Sequence, residues 1–249
     1  MLPGITGCVG EIAPLASRLD CSNPVYAVQP HGLDPSETPF ELVEDIASYC
    51  LAAMKTEQAE GPYLLVGYSF GGLVAVAIGR LLLEAGESPA FLACLDPYIY
   101  REYWPRMARA RLLVRRLGRR IASIAHSVGG RIGVNTLEDH PFVAHPPLPD
   151  SLRPVHQGCL VALSRHRPRY YPGKIVFFRP RIRANVPDPV PIWRQLAREL
   201  QVYSVQGDHT GMISSECDDL AIQLSHCIQE ALEAERRVAS VSRGGHPAS

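Results

Sequence analysis

The sequence lacks the features that mark a membrane protein, a secreted protein or a nucleic-acid-binding protein. Its 25 lysines and arginines balance 25 acidic residues, so no net charge favours binding to nucleic acid or to an anionic membrane. No apolar run approaches the length of a membrane span, and the N-terminus has no basic segment followed by an apolar one, as a signal peptide would. We therefore expect a cytoplasmic protein with neither a nucleic-acid nor a membrane partner.

The cysteines form no CxxC pair and no metal-ligand spacing, and their odd number does not favour a disulfide framework. Most of them lie among apolar residues, which predicts reduced thiols that fill the core of a cytosolic protein. We expect no metal site and no cofactor bound by the chain itself. The seven positions are Cys8, Cys21, Cys50, Cys94, Cys159, Cys217 and Cys227.

The pattern of apolar residues predicts an α/β fold. Short apolar runs predict strands at Val25–Gln29, Tyr63–Val66, Ala90–Leu95, Lys174–Phe178 and Leu200–Val205. Apolar residues at helical spacing predict helices at Phe40–Glu57, at Phe70 to about Ala85, around Trp193 to Arg198, and at about Glu216–Glu235. Strands and helices that alternate through short connections predict a mostly parallel sheet with flanking helices.

The alternation stops between Asp96 and about Pro149. Nine arginines lie between Arg101 and Arg131 with a single acidic residue among them, and a proline-bearing loop follows. We interpret this segment, about 98–150, as a helical lid over the strand ends, where open α/β sheets bind their ligands. The predicted organisation is one domain over residues 1–237 with this lid, followed by a small, polar and disordered tail at 238–249.

The segment around Ser69 has the form of a nucleophile elbow. A short apolar strand runs into Gly67-x-Ser69-x-Gly71, and a helix begins at once. Glycine is expected at both flanking positions because a Cβ there would collide with neighbouring backbone. The turn places the serine hydroxyl at a helix N-terminus, where N–H groups such as that of Phe70 can stabilise an oxyanion. A second donor is expected from the early loop at residues 3–8.

An elbow serine reacts only when a histidine takes its proton and a carboxylate orients that histidine. Asp96 directly follows the strand after the elbow helix, and His209 lies in the loop between the last strand and the last helix. Two other acids remain as alternatives. Asp208 adjoins His209, where neighbouring side chains usually point apart, so we interpret it as a loop-shaping residue. Asp188 lies in a proline-rich turn ten residues beyond a predicted strand, so Asp96 is preferred.

Several motifs together resemble the type I thioesterase domains that end non-ribosomal peptide, polyketide and fatty acid synthases. They are LPGITG, VYAVQPHGL, EGPYLLVGYSFGGLVA, LACLDPY and VQGDHTGM, spread over roughly residues 2–110 and 150–235. The resemblance implies an α/β-hydrolase fold with a lid, although the apolar strand that precedes the LPG loop in the family is missing here. It also implies Ser69 as nucleophile, Asp96 as acid, His209 as base, and the N–H groups of Ile5 and Phe70 as oxyanion donors.

The activity that this resemblance implies is the release of an acyl, peptidyl or polyketide chain by hydrolysis or cyclisation. The chain would be carried on the 4'-phosphopantetheine arm of a carrier protein, and that carrier or an upstream synthase module would be the partner. Tyr68, Arg101, Arg106 and Arg109 are candidate contacts to substrate or carrier, since carriers are commonly acidic. A carboxylesterase or lipase of the same fold, or a non-catalytic carrier-binding module, remains an alternative.

Overall fold

Four parallel strands in chain order form the sheet of the computed structural model, which describes residues 1–97, 148–183 and 188–244. The strands are β1 (Leu64–Tyr68), β2 (Phe91–Leu95), β3 (Tyr171–Pro180) and β4 (Ala197–Val205). The predicted parallel α/β class is confirmed. Residues 98–147 lie outside the described residues. They make up most of the predicted lid and include Arg101, Arg106 and Arg109.

Helices connect the strands and cover both faces of the sheet. They are α1 (Ala13–Ala16), α2 (Val43–Glu57), α3 (Phe70–Glu84), α4 (Arg153–Arg165), α5 (Val190–Leu196) and α6 (Asp218–Gly244), with 3₁₀ turns at Val9–Ile12, Asp150–Leu152 and Gly211–Ile213. Within the described ranges, no helix combines the length and the apolar character that crossing a bilayer requires.

The core consists of two layers, one on each face of the sheet. Phe177 and Phe178 are both fully buried and point to opposite faces, because side chains alternate along a strand. Phe177 packs in the layer that contains Trp193, whereas Phe178 packs in the layer that contains Leu224. Each such phenylalanine contributes roughly 1.5–3 kcal/mol by its removal from water. The two core layers therefore cover both faces of the sheet. The ends of the strands are where a functional site can form.

The cysteines have the predicted structural role. All seven are free, and five of them are buried. Burial raises the pKa of Cys50 and of Cys159 to about 12, so neither forms a thiolate near neutral pH. The prediction that most of the cysteines pack in the core is thus confirmed for five of the seven.

The predicted strand Val25–Gln29 is wrong. This segment belongs to no strand, and its backbone bonds are to Met1: Val28 N–H donates to the Met1 carbonyl at 3.1 Å. Val25 and Tyr26 are 40% and 56% exposed, so the segment lacks the two-sided burial of a strand in this sheet. On the outer side of β1, the described residues contribute the single parallel bridge between Leu2 and Gly67.

Several helices also differ from the prediction. Helix α1 was not expected, and α5 ends at Leu196, so Arg198, predicted to be helical, lies in β4. Helix α4 was not expected, although Val155, Cys159 and Ala162 lie on one buried helical face and Pro154 occupies the first turn. Helix α6 continues to Gly244, so residues 238–244, predicted to be disordered, are helical. The physical reason is that no glycine or proline interrupts the segment before Gly244.

The turn between β1 and α3 requires glycine at positions 67 and 71. A Cβ added at Gly67 would lie 2.1 Å from the Gly71 carbonyl oxygen, and one at Gly71 would lie 2.4 Å from the Pro3 carbonyl oxygen. The expected reason for both glycines is therefore confirmed.

We predict that Gly67→Ala lowers the free energy of unfolding by about 3 kcal/mol or more, because the methyl group would overlap backbone that cannot move aside. Gly10→Ala is the matched control, since its Cβ would approach nothing closer than 3.5 Å. The control should stay within about 0.5 kcal/mol of the wild type. Urea denaturation followed by circular dichroism measures both, and equal midpoints for the two variants would contradict the prediction.

Candidate active site

Ser69 lies on the strained turn that the sequence predicts. It is the residue between β1 and α3, with φ 52° and ψ −117°, a conformation that residues other than glycine rarely adopt. Its N–H donates to the Leu95 carbonyl at 2.9 Å, which ties the elbow to the end of β2. Ser69 is 8% exposed. The hydroxyl is thus fixed at the carboxyl end of the sheet and at the N-terminus of a 15-residue helix.

His209 joins Ser69 and Asp96 in one hydrogen-bonded line. Its Nε2 lies 3.1 Å from Ser69 Oγ, and its Nδ1 lies 2.7 Å from Asp96 Oδ2. Because an ionised carboxylate only accepts hydrogen bonds, Asp96 selects the tautomer with the proton on Nδ1. Nε2 is then the unprotonated nitrogen, which can accept the serine proton. The structure therefore brings together the three residues singled out by the sequence, from the loops after β1, β2 and β4.

Asp96 itself is almost completely buried and strained. It is 2% exposed, and its φ is 41°. Its N–H donates to the Phe178 carbonyl at 2.7 Å, and its second carboxylate oxygen, Oδ1, accepts a hydrogen bond from Arg183. A buried charge is stable only when it is paired, so these contacts keep the carboxylate in place.

The two alternative acids have other contacts. Asp208 Oδ1 accepts the N–H groups of Thr210 at 3.1 Å and Gly211 at 2.8 Å, which confirms its interpretation as a loop-shaping residue. Asp188 accepts a hydrogen bond from Arg179 at 3.0 Å, and its other oxygen accepts the Val190 N–H at the start of α5. Neither of these pairings involves the His209 ring.

Tyr68 contacts His209 in two ways. Its hydroxyl donates to the His209 carbonyl at 3.0 Å, and the two rings stack with centroids 5.0 Å apart. Burial, with the nearby Glu11 and Asp96 charges, raises the pKa of Tyr68, so the phenol stays a donor. Tyr68 is 4% exposed. Its contact to substrate stays a prediction, whereas its contact to His209 was not foreseen.

The two backbone positions expected to bind an oxyanion lie beside the elbow. Phe70 is the first residue of α3, where backbone N–H groups have no acceptor within the helix. The early loop passes directly over Gly71, whose missing Cβ leaves room for it. Within that loop the Ile5 carbonyl is 2.9 Å from His156 Nδ1. The structure thus places both segments next to Ser69, and their role as donors remains a prediction.

Glu11 is a site residue that the sequence reasoning missed. Its carboxylate accepts the Gly4 N–H and, at 2.9 Å, the Thr6 hydroxyl, so it fixes the loop residues on both sides of Ile5. Burial raises the pKa of Glu11, while these hydrogen bonds and the nearby His209 lower it in part. The available signal was a lone acid in an apolar segment, Cys8 to Leu15. Glu11 holds the loop in the shape that presents Ile5.

A large groove in the described part of the chain lies away from this site. It has a volume of about 610 Å³ and runs along the outer edge of β1, lined by residues such as Val25, Tyr49 and Leu64, and not by Ser69, Asp96 or His209. Among residues 1–97, 148–183 and 188–244, no group of histidine, cysteine and acidic side chains has an arrangement that could hold a metal ion.

Comparison with known proteins points to the family that the sequence motifs resemble. A family profile described as "Thioesterase domain" matches residues 1–125. Indigoidine synthase of Dickeya dadantii (strain 3937) is 36% identical over 95 residues, which is 38% of this chain and 6% of that synthase. The chain therefore spans only a small part of the length of this curated relative.

Solved thioesterase structures share the fold. The RedJ thioesterase from the prodiginine pathway of Streptomyces coelicolor has a TM-score of 0.61 and 20% identity, over 90% of this chain and 87% of that one. The NocB thioesterase domain, solved as a covalent complex with a fluorophosphonate nocardicin G analogue, has a TM-score of 0.61 and 22% identity, over 93% and 92%. The predicted α/β-hydrolase fold is thus confirmed.

The contacts of Glu11 yield a prediction for the loop that carries Ile5. We expect Glu11→Ala to slow the labelling of Ser69 by a serine-reactive fluorophosphonate at least tenfold. The free energy of unfolding should fall by about 1–3 kcal/mol, because a buried N–H loses its acceptor. Glu37→Ala is the matched control, since Glu37 accepts the Gly32 N–H at 3.0 Å in a different loop. A control that slowed labelling equally, or a Glu11 variant that labelled at the wild-type rate, would contradict this role.

Proposed function

This chain belongs to the thioesterase domain family, and on that premise we propose that it is a serine thioesterase acting through an acyl-Ser69 intermediate. The substrate would be an acyl, peptidyl or polyketide chain on the phosphopantetheine arm of a carrier protein. The observation that carries the proposal is the position of His209, which is 3.1 Å from Ser69 Oγ and 2.7 Å from Asp96 Oδ2. That arrangement suits proton transfer from a nucleophile to an oriented base.

The first half of the reaction transfers the acyl group to the enzyme. His209 Nε2 takes the proton of Ser69 Oγ as the oxygen attacks the thioester carbonyl. The N–H groups of Phe70 and Ile5 stabilise the resulting oxyanion, and Asp96 stabilises the imidazolium through Nδ1. The carbon–sulfur bond then breaks, the carrier thiol leaves with the proton from His209, which returns to its neutral form, and an ester to Ser69 remains.

The second half releases the product. A water molecule, or a nucleophile within the acyl chain, loses its proton to His209 Nε2 and attacks the ester carbonyl. The same two N–H groups stabilise the second oxyanion, and Ser69 regains its proton as the ester bond breaks. Water gives a free acid, whereas an internal nucleophile gives a ring.

The carrier-bound substrate is supported by the nature of the relatives. The matched region is a small fraction of indigoidine synthase, 6% of its length, as expected for one domain of a large synthase. In this proposal the carrier supplies the phosphopantetheine arm, and this chain binds no cofactor of its own. Contacts from Tyr68, Arg101, Arg106 and Arg109 to the substrate or carrier belong to the same proposal.

The nucleophile gives the most direct prediction. Ser69→Ala should abolish hydrolysis of an acyl-phosphopantetheine thioester while leaving the unfolding midpoint close to that of the wild type, because the hydroxyl contributes chemistry and little packing. A fluorophosphonate probe should label Ser69 in the wild type. Peptide mapping by mass spectrometry locates the label, and modification of another serine in place of Ser69 would refute the mechanism.

The acid gives a prediction with an internal control. Asp96→Asn should lower kcat by about 10⁴, because an amide does not select the productive tautomer of His209 or stabilise its charged form. Asp188→Asn should leave kcat within about twofold of the wild type, since Asp188 pairs with Arg179. Steady-state kinetics on one thioester compares the two variants. The reverse ranking would move the acid to the segment after β3.

A further inference from the structure

We propose that Arg183 is a positioning residue for the acid of this site, and the proposal rests on the thioesterase function above. The guanidinium Nη1 of Arg183 donates to Asp96 Oδ1, while His209 Nδ1 contacts Asp96 Oδ2 at 2.7 Å. Each carboxylate oxygen therefore has its own nitrogen partner. Arg183 holds the far oxygen so that the near oxygen faces His209.

Burial strengthens the electrostatic attraction between Arg183 and Asp96. The Asp96 side chain is 2% exposed and that of Arg183 is 15% exposed, so water screens their attraction only weakly. A carboxylate at this depth needs a partner to remain charged, and His209 is neutral when it acts as the base. In the described part of the chain, Arg183 is the cation that contacts Asp96 directly. The arginine thus places a positive charge beside the Asp96 carboxylate at the stage when His209 is neutral.

The backbone places Arg183 with the same elements that place His209. Beyond the end of β3, Arg181 N–H donates to the Val205 carbonyl at 2.9 Å, and Ile182 N–H donates to the Gly207 carbonyl at 3.1 Å. The segment that ends at Arg183 therefore runs beside the segment that leads to His209. Both partners of Asp96 are fixed relative to each other, so the orientation of the carboxylate is set from two sides.

The other charged groups near His209 do not perform this task. Glu11 accepts hydrogen bonds from the loop with Ile5, and Asp208 uses its carboxylate for the backbone of its own loop. Arg179 is four residues before Arg183, yet it pairs with Asp188 and with Ser204. Arg179 therefore provides a matched control: a nearby arginine in an ion pair that does not include Asp96.

The test is a double-mutant cycle on the complete chain with an acyl-phosphopantetheine thioester as substrate. Arg183→Met should lower kcat roughly 10- to 100-fold with little change in KM, because the substrate is bound but His209 is poorly oriented. Arg183→Lys, which keeps the charge, should recover part of this loss. Arg179→Met should stay within about twofold of the wild type.

The decisive comparison uses Asp96→Asn as the second background. If Arg183 acts through Asp96, Arg183→Met should lower kcat less than about twofold when Asp96 is already asparagine. Added guanidinium ion should also restore activity to Arg183→Ala, and thermal unfolding of each variant establishes that it is folded. An equal loss in both backgrounds, or full activity of Arg183→Met, would overturn the proposal. Failure of the wild-type chain to hydrolyse the thioester would instead overturn the proposed function itself, so the two failures are distinguishable.

Discussion

The backbone hydrogen bonds between the carboxyl ends of neighbouring strands set the position of every reactive side chain in the site. Ser69 N–H donates to Leu95 at the end of β2, and Asp96 N–H donates to Phe178 in β3. Arg181, just beyond β3, donates in turn to Val205 at the end of β4. Each strand end is thus tied to the next, and the distances around His209 follow from this continuous ladder together with the two buried layers that hold the strands.

The main features of the site could be predicted because they depend on local sequence and on one property of parallel sheets. The elbow is encoded within five residues, Gly67 to Gly71, and a parallel arrangement brings the ends of the strands to one edge. Asp96 directly follows β2 and His209 lies four residues beyond the end of β4, so their meeting depended on only one short loop. The segment Val25–Gln29 was misjudged because its composition suits a strand, whereas its position beside Met1 provides no partner strand on either side.

The supporting residues could not be predicted from sequence because their contacts join distant parts of the chain. His156 meets the Ile5 carbonyl across 151 positions, and Arg183 meets Asp96 across 87. Glu11 is closer to its partners, yet its role depends on being buried against the loop at Gly4 and Thr6. No local spacing distinguishes such residues from exposed charges. They become visible only when the packing shows which charges lack access to water.

The ladder at the strand ends has a consequence for how the site loses its shape. The N–H groups of Ser69 and Asp96 are both hydrogen-bonded, in residues only 8% and 2% exposed, so their hydrogens exchange with solvent only when the sheet itself separates. Loop fluctuations alone do not release these amides. We therefore expect the nucleophile and the acid to belong to the cooperative unit that opens last, so that their relative position persists for as long as the sheet stays folded.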